Sequence, residues 1–340
     1  MADRTPIEWT DATWNPITGC SVVSPGCTNC YAMKLAGTRL KHHPSRAGLT
    51  KDTKTGPVWT GEVRFNREWL HQPLTWAKPR MIFVCAHGDL FAEGVPDGWI
   101  MRVFSVMAQC PQHTFQVLTK RPERMRDFFR RWADLTGEDF GDFKEARGPA
   151  EVRANHPSPR GQLFADMLES MGTPPAGAAY PTFDWMGGMI NWPDVFPNIW
   201  LGVSTEDQVH YNERWPHMEE LQADGWLTWI SAEPLIAELS INYVPLKRVG
   251  ADGKIARYRK PQWVVVGGES GRGARPMRPE WAESLRDQCA SAGVPFLFKQ
   301  WGNHKPTSDC NGRYMIPATK KEAGRLLDGI EHNAFPEVRR

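Results

Sequence analysis

Short apolar runs that alternate with helix-like segments constrain the fold of this 340-residue chain more than any other feature. The runs, rich in β-branched and aromatic residues, occupy residues 81–85, 114–118, 198–203, 227–230, 262–266 and 295–298. Continuous apolar runs of this length are typical of strands that are buried on both faces of a parallel sheet. Amphipathic helical patterns occupy residues 97–109, 122–135, 212–223 and 279–292. With a first strand near residues 13–18, the alternation predicts an α/β fold, a partial or near-closed barrel of six or seven (β/α) units.

Polar and glycine residues follow the predicted strands, at the ends where barrels and open α/β sheets build their sites. Any one of them is explained equally well as a helix cap or a turn residue. Six successive strand ends with the same character instead predict the rim of a single pocket. The rim candidates are Asp89, Lys120, Ser204, Glu206, Glu233, Gly267, Gly268 and Glu269.

Three cysteines, Cys20, Cys27 and Cys30, lie in a loop that is rich in Gly, Pro, Ser, Thr and Asn. Three thiolates are one ligand short of a closed tetrahedral site, so a zinc ion or an iron–sulfur cluster held by them keeps one open position. The alternative is three buried cysteines that pack as small apolar residues. The loop offers little apolar material for such packing, and we therefore predict that these cysteines bind a metal centre.

Composition indicates the cellular compartment of the protein but does not identify a partner. The net charge of +2 is close to neutral and does not decide between nucleic acid and other partners. The chain has seven cysteines, no apolar segment after Met1 and no long apolar run. These features predict a cytoplasmic protein in a reducing compartment, with no membrane association.

The segment from Asn15-Pro16 through Gly19-Cys20 and Gly26-Cys27 to Cys30-Tyr31-Ala32 resembles the cluster loop of radical S-adenosylmethionine enzymes, most closely their spore photoproduct lyase-like branch. More narrowly, residues 7–301 resemble the phage-borne three-cysteine-motif proteins. The motifs that carry this resemblance lie at residues 88–91, 118–122 and 267–271. One departure is the gap of six residues between Cys20 and Cys27, which is longer than usual.

The resemblance implies a radical-SAM-type, TIM-barrel-like fold and a [4Fe–4S] cluster on the three cysteines, whose fourth iron binds S-adenosylmethionine. It implies an enzyme that takes an electron from an external donor and uses a 5′-deoxyadenosyl radical to remove hydrogen from a substrate. Tyr31 is expected near the cofactor's adenine, Asp89 near its ammonium group and Lys120 near its carboxylate or an anionic substrate. Further cofactor contacts are expected at Ser204, Glu206, Glu233, Gly267, Gly268 and Glu269. No residue is predicted to act directly on the substrate.

The resemblance and the basic segments together favour a nucleic acid or nucleotide as substrate, with a partner protein encoded nearby as a further possibility. The basic residues of 246–260 and those of the helix after Lys120 predict a phosphate-binding face, although solvated helix and loop surfaces are the more common explanation. The competing function is a zinc-stabilised nucleic-acid-binding module, with His42 or His43 as the fourth ligand. An electron-transfer protein is a weaker alternative, because ferredoxins use four cysteines for each cluster.

The barrel is predicted to span residues 1–302, with insertions at about 41–80, 134–197 and 241–261. Residues 303–340 are predicted to form a C-terminal extension. The segment 134–197 is too long for an ordinary connection between two strands, which indicates an inserted lid or a partner surface.

Overall fold

The computed structural model describes residues 5–133, 150, 196–242 and 258–337. Its strands are β1 (Ala12–Trp14), β2 (Ile17–Thr18), β3 (Thr50–Thr53), β4 (Gly56–Trp59), β5 (Arg64–Phe65), β6 (Met81–Val84), β7 (Thr114–Thr119), β8 (Ile199–Ser204), β9 (Leu227–Ala232), β10 (Val264–Gly267), β11 (Phe296–Gln300), β12 (His304–Asp309) and β13 (Gly312–Pro317). Its helices are α1 (Tyr31–Gly37), α2 (Arg67–Leu70), α3 (Asp97–Ala108), α4 (Pro122–Ala133), α5 (Gln208–Ala223), α6 (Pro279–Ala292) and α7 (Lys320–Ala323).

Seven strands form one sheet in the order β1-β6-β7-β8-β9-β10-β11, and every neighbouring pair is parallel. The sheet is curled into a half-barrel, so the predicted α/β fold with a partial barrel is confirmed. The six apolar runs recur as strands with shifts of one or two residues at their ends, whereas the first strand predicted near residues 13–18 is divided into β1 and β2, of which β1 alone belongs to this sheet. Helix α5 begins four residues earlier than predicted, because the Asp207 carboxylate accepts a hydrogen bond from the His210 backbone N (2.9 Å) and caps the helix there.

The two faces of the sheet bury different side chains, because alternate residues of a strand point to opposite faces. On the outer face, aliphatic and phenylalanine side chains pack against α3, α4, α5 and α6 in the main core. A separate cluster on the other face is built from Phe83 together with the tryptophans Trp9, Trp200, Trp229 and Trp263. Trp9 precedes β1 and contacts the rings of both Phe83 and Trp229. We call these four tryptophans the tryptophan layer, and it fills the amino-terminal part of the concave face.

The polar residues on the concave face follow from the same alternation. Ser204 lies four residues beyond Trp200 in β8, and Ser231 lies two residues beyond Trp229 in β9. The side of the half-barrel toward the carboxyl ends of the strands is therefore polar, whereas the amino-terminal side is filled by aromatic rings.

The edge of the sheet at β11 is covered by the C-terminal residues. Phe298 N donates to His332 O (3.0 Å) and Ala334 N donates to Phe296 O (3.2 Å). Covering an edge strand in this way prevents it from pairing with another chain. The predicted division into a barrel, three insertions and an extension stays a prediction, since much of 134–197 and of 241–261 lies outside the described residues. Among the helices that the structure describes, none has the length and apolar character needed to cross a membrane.

Candidate functional site

The loop that carries the three cysteines, residues 19–30, is here called the cysteine loop. It begins beside the carboxyl end of β6, where Gly19 N donates to His87 O (3.3 Å) and Gly19 forms a bridge with Gly88. Gly19 has a φ of +95°, and a Cβ at this position would lie 2.2 Å from Glu62 O. Only glycine fits both conditions, so the entry into the loop is determined by this residue.

Arg121 holds the start of the cysteine loop. Its Nη1 lies 3.0 Å from Asp89 Oδ2 and 3.4 Å from Cys20 Sγ, and its Nη2 donates to Ser21 O (3.1 Å). Asp89 is buried. Its carboxylate also accepts hydrogen bonds from Lys120 N (3.1 Å), from a second backbone N–H and from a threonine hydroxyl. A carboxylate offers about four acceptor positions. All of these are used within the protein, so the Asp89 carboxylate orients Arg121 and, through it, Cys20.

Glu206 holds the middle of the loop from the carboxyl end of β8. Its side chain is completely buried; Oε1 accepts from Gly26 N (3.2 Å) and Oε2 accepts from Arg214 Nη1 (2.8 Å). A Cβ on Gly26 would lie 2.9 Å from the Glu206 carboxyl carbon, so this contact requires a glycine. Burial acts to raise the pKa of Glu206, but Lys120 and Arg214 outweigh it and the pKa lies below its ordinary value. Glu206 is therefore a buried carboxylate anion.

Glu269 holds the end of the loop from beyond β10. Its Oε2 accepts from Asn29 Nδ2 (2.9 Å), and its Oε1 accepts from Arg275 Nη2 (2.6 Å). Arg275 Nη2 also donates to Pro25 O (3.0 Å). Burial raises the pKa of Glu269, yet the hydrogen bonds from Arg275 and Asn29 lower it overall. Three buried carboxylates, each from a different strand end, thus hold the cysteine loop.

Lys120, Ser204 and Glu233 form a polar wall next to the loop. Lys120 Nζ donates to Ser204 Oγ, and Ser204 Oγ donates to Glu233 O (3.3 Å). The Glu233 carboxylate lies 3.0 Å from Lys299 Nζ and accepts from Ser231 Oγ (3.1 Å). The structure thus brings together three residues that the sequence placed on one pocket rim.

Tyr31 is the aromatic residue of the site that solvent reaches. Its side chain is 50% exposed, its hydroxyl donates to Ala86 O, and its ring meets the His87 ring edge-on with centroids 6.0 Å apart. Burial of the hydroxyl, followed by the charges of Cys30 and Glu233, raises the pKa of Tyr31. The phenol is therefore neutral, and its open ring face is available for stacking.

The three loop cysteines are free thiols; Cys27 is buried, and Cys20 and Cys30 pack against a small apolar cluster that includes Met33 and Trp59. Burial raises the pKa of Cys20 to about 12 and also raises the pKa of Cys30, and Cys27 adds to both shifts. Arg121 acts in the opposite direction on Cys20, as Lys120 does on Cys30. No three His, Cys, Asp or Glu residues in the described ranges are arranged to hold one metal ion.

The two glycines at the carboxyl end of β10, Gly267 and Gly268, lie close to other parts of the protein. A Cβ on Gly268 would lie 2.1 Å from Trp301 O, and one on Gly267 would lie 2.5 Å from Glu233 Oε1. The close backbone approach expected at Gly268 is therefore made by Trp301. The cofactor contacts predicted for both glycines stay predictions.

Both histidines that were predicted as zinc ligands, and part of the predicted basic face, lie in the described ranges. His43 Nδ1 lies 2.6 Å from Ser45 Oγ. The arginines of α4 are in ion pairs, with Asp97 for Arg124 and Arg131 and with Glu220 for Arg126 and Arg130. Residues 246–257 of the predicted face lie outside the described residues. In the part that the structure describes, the α4 arginines are thus engaged with carboxylates.

Sequence reasoning missed the cations that complete the site. Arg214 and Arg275 pair with Glu206 and Glu269, and Lys299 pairs with Glu233. Arg214 lies within a helix and Arg275 in an irregular segment, and neither belongs to a recognisable motif. Lys299 directly follows the last predicted strand. This position on the rim was the one sequence feature that could have identified it as a site residue.

Replacing Gly268 with alanine is expected to destabilise the protein more than the same change at Gly267. The new methyl group at residue 268 meets a backbone oxygen, and such overpacking costs about 1–3 kcal/mol. At residue 267 it meets the end of the Glu233 side chain, which is able to rotate away. Urea unfolding of both variants measures the difference, and equal losses would contradict the geometry.

Comparison with known proteins identifies a family and gives no closer relative. No curated protein and no solved structure matches the chain. A family model described as a protein of unknown function, DUF5131, matches residues 4–336, and the chain therefore belongs to the DUF5131 family.

Proposed function

We propose that this protein is a radical S-adenosylmethionine enzyme in which Cys20, Cys27 and Cys30 hold a [4Fe–4S] cluster. The observation that carries the proposal is the cysteine loop itself, with three free thiols held by three buried carboxylates across the carboxyl ends of a parallel half-barrel. Carboxyl ends of parallel strands are the usual place for α/β active sites. The fold is then a radical-SAM-type partial barrel.

The donor set suits a cluster better than a single zinc ion. In a cubane cluster each thiolate binds a different iron, so the three sulfurs need not converge on one point. A zinc site requires the three sulfurs and a fourth ligand to converge on one point. Burial raises the pKa of both Cys20 and Cys30, and Arg121 and Lys120 offset part of that rise, in the direction of the thiolate form that ligation needs.

When bound, the cluster and S-adenosylmethionine supply a 5′-deoxyadenosyl radical that removes hydrogen from the substrate. The chain's own residues bind the cofactor and the substrate and orient them. The open Tyr31 ring is suited to stack on adenine, and Lys120 is suited to pair with a carboxylate. Asp89, Glu206 and Glu269 are engaged with arginines and the loop, which favours a positioning role for them.

The substrate that we propose is a nucleic acid or a nucleotide. The polar wall of Lys120, Ser204 and Glu233 with Lys299 offers hydrogen-bond donors and acceptors at the open end of the half-barrel. The tryptophan layer fills the other end, which favours access of the substrate from the carboxyl ends. An external electron donor is required in this scheme, and the cytoplasm is the compartment that fits it.

Anaerobic reconstitution with iron and sulfide tests the proposal. After dithionite reduction and addition of S-adenosylmethionine, we expect a brown protein that forms 5′-deoxyadenosine, measured by chromatography. A colourless protein that carries one zinc ion would contradict the proposal and support the zinc-stabilised binding module. A brown protein that leaves S-adenosylmethionine intact, with and without added DNA or RNA, would contradict the radical chemistry.

A further inference from the structure

One buried arginine next to the candidate site has no carboxylate partner. Among the described residues, three arginines are buried: Arg46, Arg121 and Arg214. Arg121 and Arg214 are paired with Asp89 and Glu206. Arg46 is 3% exposed, and within the described ranges no Asp or Glu lies within ion-pair distance of it. It is thus the exception among the buried cations.

The partners of Arg46 are neutral and use only part of its guanidinium. Nη1 donates to Ser45 O (3.2 Å) and to Ser45 Oγ (2.7 Å), and Nη2 contacts His87 Nδ1 (2.5 Å). A guanidinium carries five N–H donors in a rigid fork. Two of them, one on Nη2 and the one on Nε, have no acceptor among the described residues. This pair of donors matches the geometry by which arginine binds a carboxylate or a phosphate.

The ionisable groups around Arg46 do not compensate its charge. Burial raises the pKa of Cys85 to about 12, so its thiol is neutral near pH 7. Burial and Arg46 lower the pKa of His87 to about 4, so His87 is neutral as well. Arg64 lies close enough to add positive charge. The surroundings of Arg46 therefore carry an uncompensated positive charge.

A buried cation without a counter-charge is costly, and among the described residues Arg46 has only neutral partners, including the Trp69 ring, whose centroid lies 5.7 Å from the guanidinium carbon. Its presence therefore calls for a compensating charge from outside the chain. Arg46 interacts electrostatically with Tyr31, whose half-exposed ring directly follows Cys30. An anion bound at Arg46 would therefore lie beside the cysteine loop.

We propose that Arg46 binds an oxyanion of the substrate, either a phosphate or a carboxylate. That the oxyanion belongs to the substrate rests on the function proposed above. The binding of an oxyanion at Arg46 does not, because it follows from the unpaired charge and the two free N–H donors.

The test is thermal unfolding of the full-length protein with inorganic phosphate or with acetate, against sodium chloride at equal ionic strength. We expect one or both oxyanions to raise the melting temperature beyond the chloride control. Arg46→Gln is expected to weaken the apparent affinity about ten- to a hundredfold, the effect of losing charge-assisted hydrogen bonds. Arg67→Gln, which removes an exposed arginine from α2, is the matched control and is expected to respond like the unmodified protein.

Arg46→Gln keeps hydrogen-bonding groups for Ser45 and His87, so without anion its melting temperature is expected to equal or exceed that of the unmodified protein. Should that variant not fold, Arg46→Lys retains the charge, lacks the fork and is expected to bind the oxyanion more weakly. A response to phosphate alone would assign a phosphate ligand, and a response to acetate alone would assign a carboxylate ligand. An equal oxyanion response with and without Arg46, or no response of the unmodified protein, would overturn the proposal. The assay contains no iron, reductant or S-adenosylmethionine, so its outcome is separate from that of the 5′-deoxyadenosine assay.

Discussion

Replacing Cys27 with serine is expected to abolish both the brown colour and 5′-deoxyadenosine formation after reconstitution. Cys27 is the middle thiol of the cysteine loop, and its backbone N donates to Ser24 O (2.9 Å) within the short turn that Glu206 holds. Serine preserves the size of the side chain but is a poor ligand for iron in a cluster, which prefers thiolates. Iron content and visible absorbance measure the first loss, and chromatography measures the second.

Cys310→Ser is the matched control for this prediction. Cys310 is exposed and lies near the turn between β12 and β13, in the C-terminal part of the chain. Its replacement removes one thiol without touching the cysteine loop, so iron content and product formation should stay unchanged. Retention of a full cluster by Cys27→Ser would show that this cysteine is not a ligand.

Replacing Glu206 with glutamine is expected to lower the free energy of unfolding by about 3–5 kcal/mol, because it leaves a buried arginine without its counter-charge. Arg214 donates to Glu206 Oε2 at 2.8 Å, and both side chains are buried. Glutamine retains an oxygen that is able to accept from Gly26 N, whereas its NH2 group faces Arg214 and cannot accept from it, so the loss combines the missing charge with the missing Arg214 hydrogen bond. Urea unfolding at neutral pH measures it.

The control for that prediction is Glu220→Gln on α5. Glu220 pairs with Arg126 and Arg130, but its side chain is 32% exposed. Ion pairs that solvent reaches contribute up to about 1 kcal/mol. A similar loss of unfolding free energy in both variants would mean that burial of the Glu206–Arg214 pair does not increase its contribution to stability.

The sequence predicted the parallel sheet well because each strand is a continuous apolar run, and burial on both faces leaves that pattern in a single segment. The helix α6 was predicted at its observed bounds, since Pro279 and Gly293 mark its start and end. The rim residues were likewise recognisable by their position after a strand. Their grouping into Lys120–Ser204–Glu233 follows from neighbouring parallel strands.

The partners of the rim residues were not predictable in the same way. Arg214 reaches Glu206 from within a helix, and Arg275 reaches Glu269 and Pro25 from a segment without periodic pattern. Arg46 lies between short elements, and its missing counter-charge is a property of the three-dimensional neighbourhood. Such pairings depend on which side chains meet in the folded protein. A local sequence pattern does not encode contacts between distant residues.

The contacts of the cysteine loop also determine the order in which the protein matures. Gly26 is held by a residue 180 positions later in the chain, and Asn29 by one 240 positions later. Contacts of such separation form late, because the entropy of closing the intervening chain must be overcome first. On the ribosome the three thiols therefore emerge first and are ordered only after the strands from β8 to β10 have been synthesised. For the cluster proposed above, insertion would consequently follow assembly of the sheet.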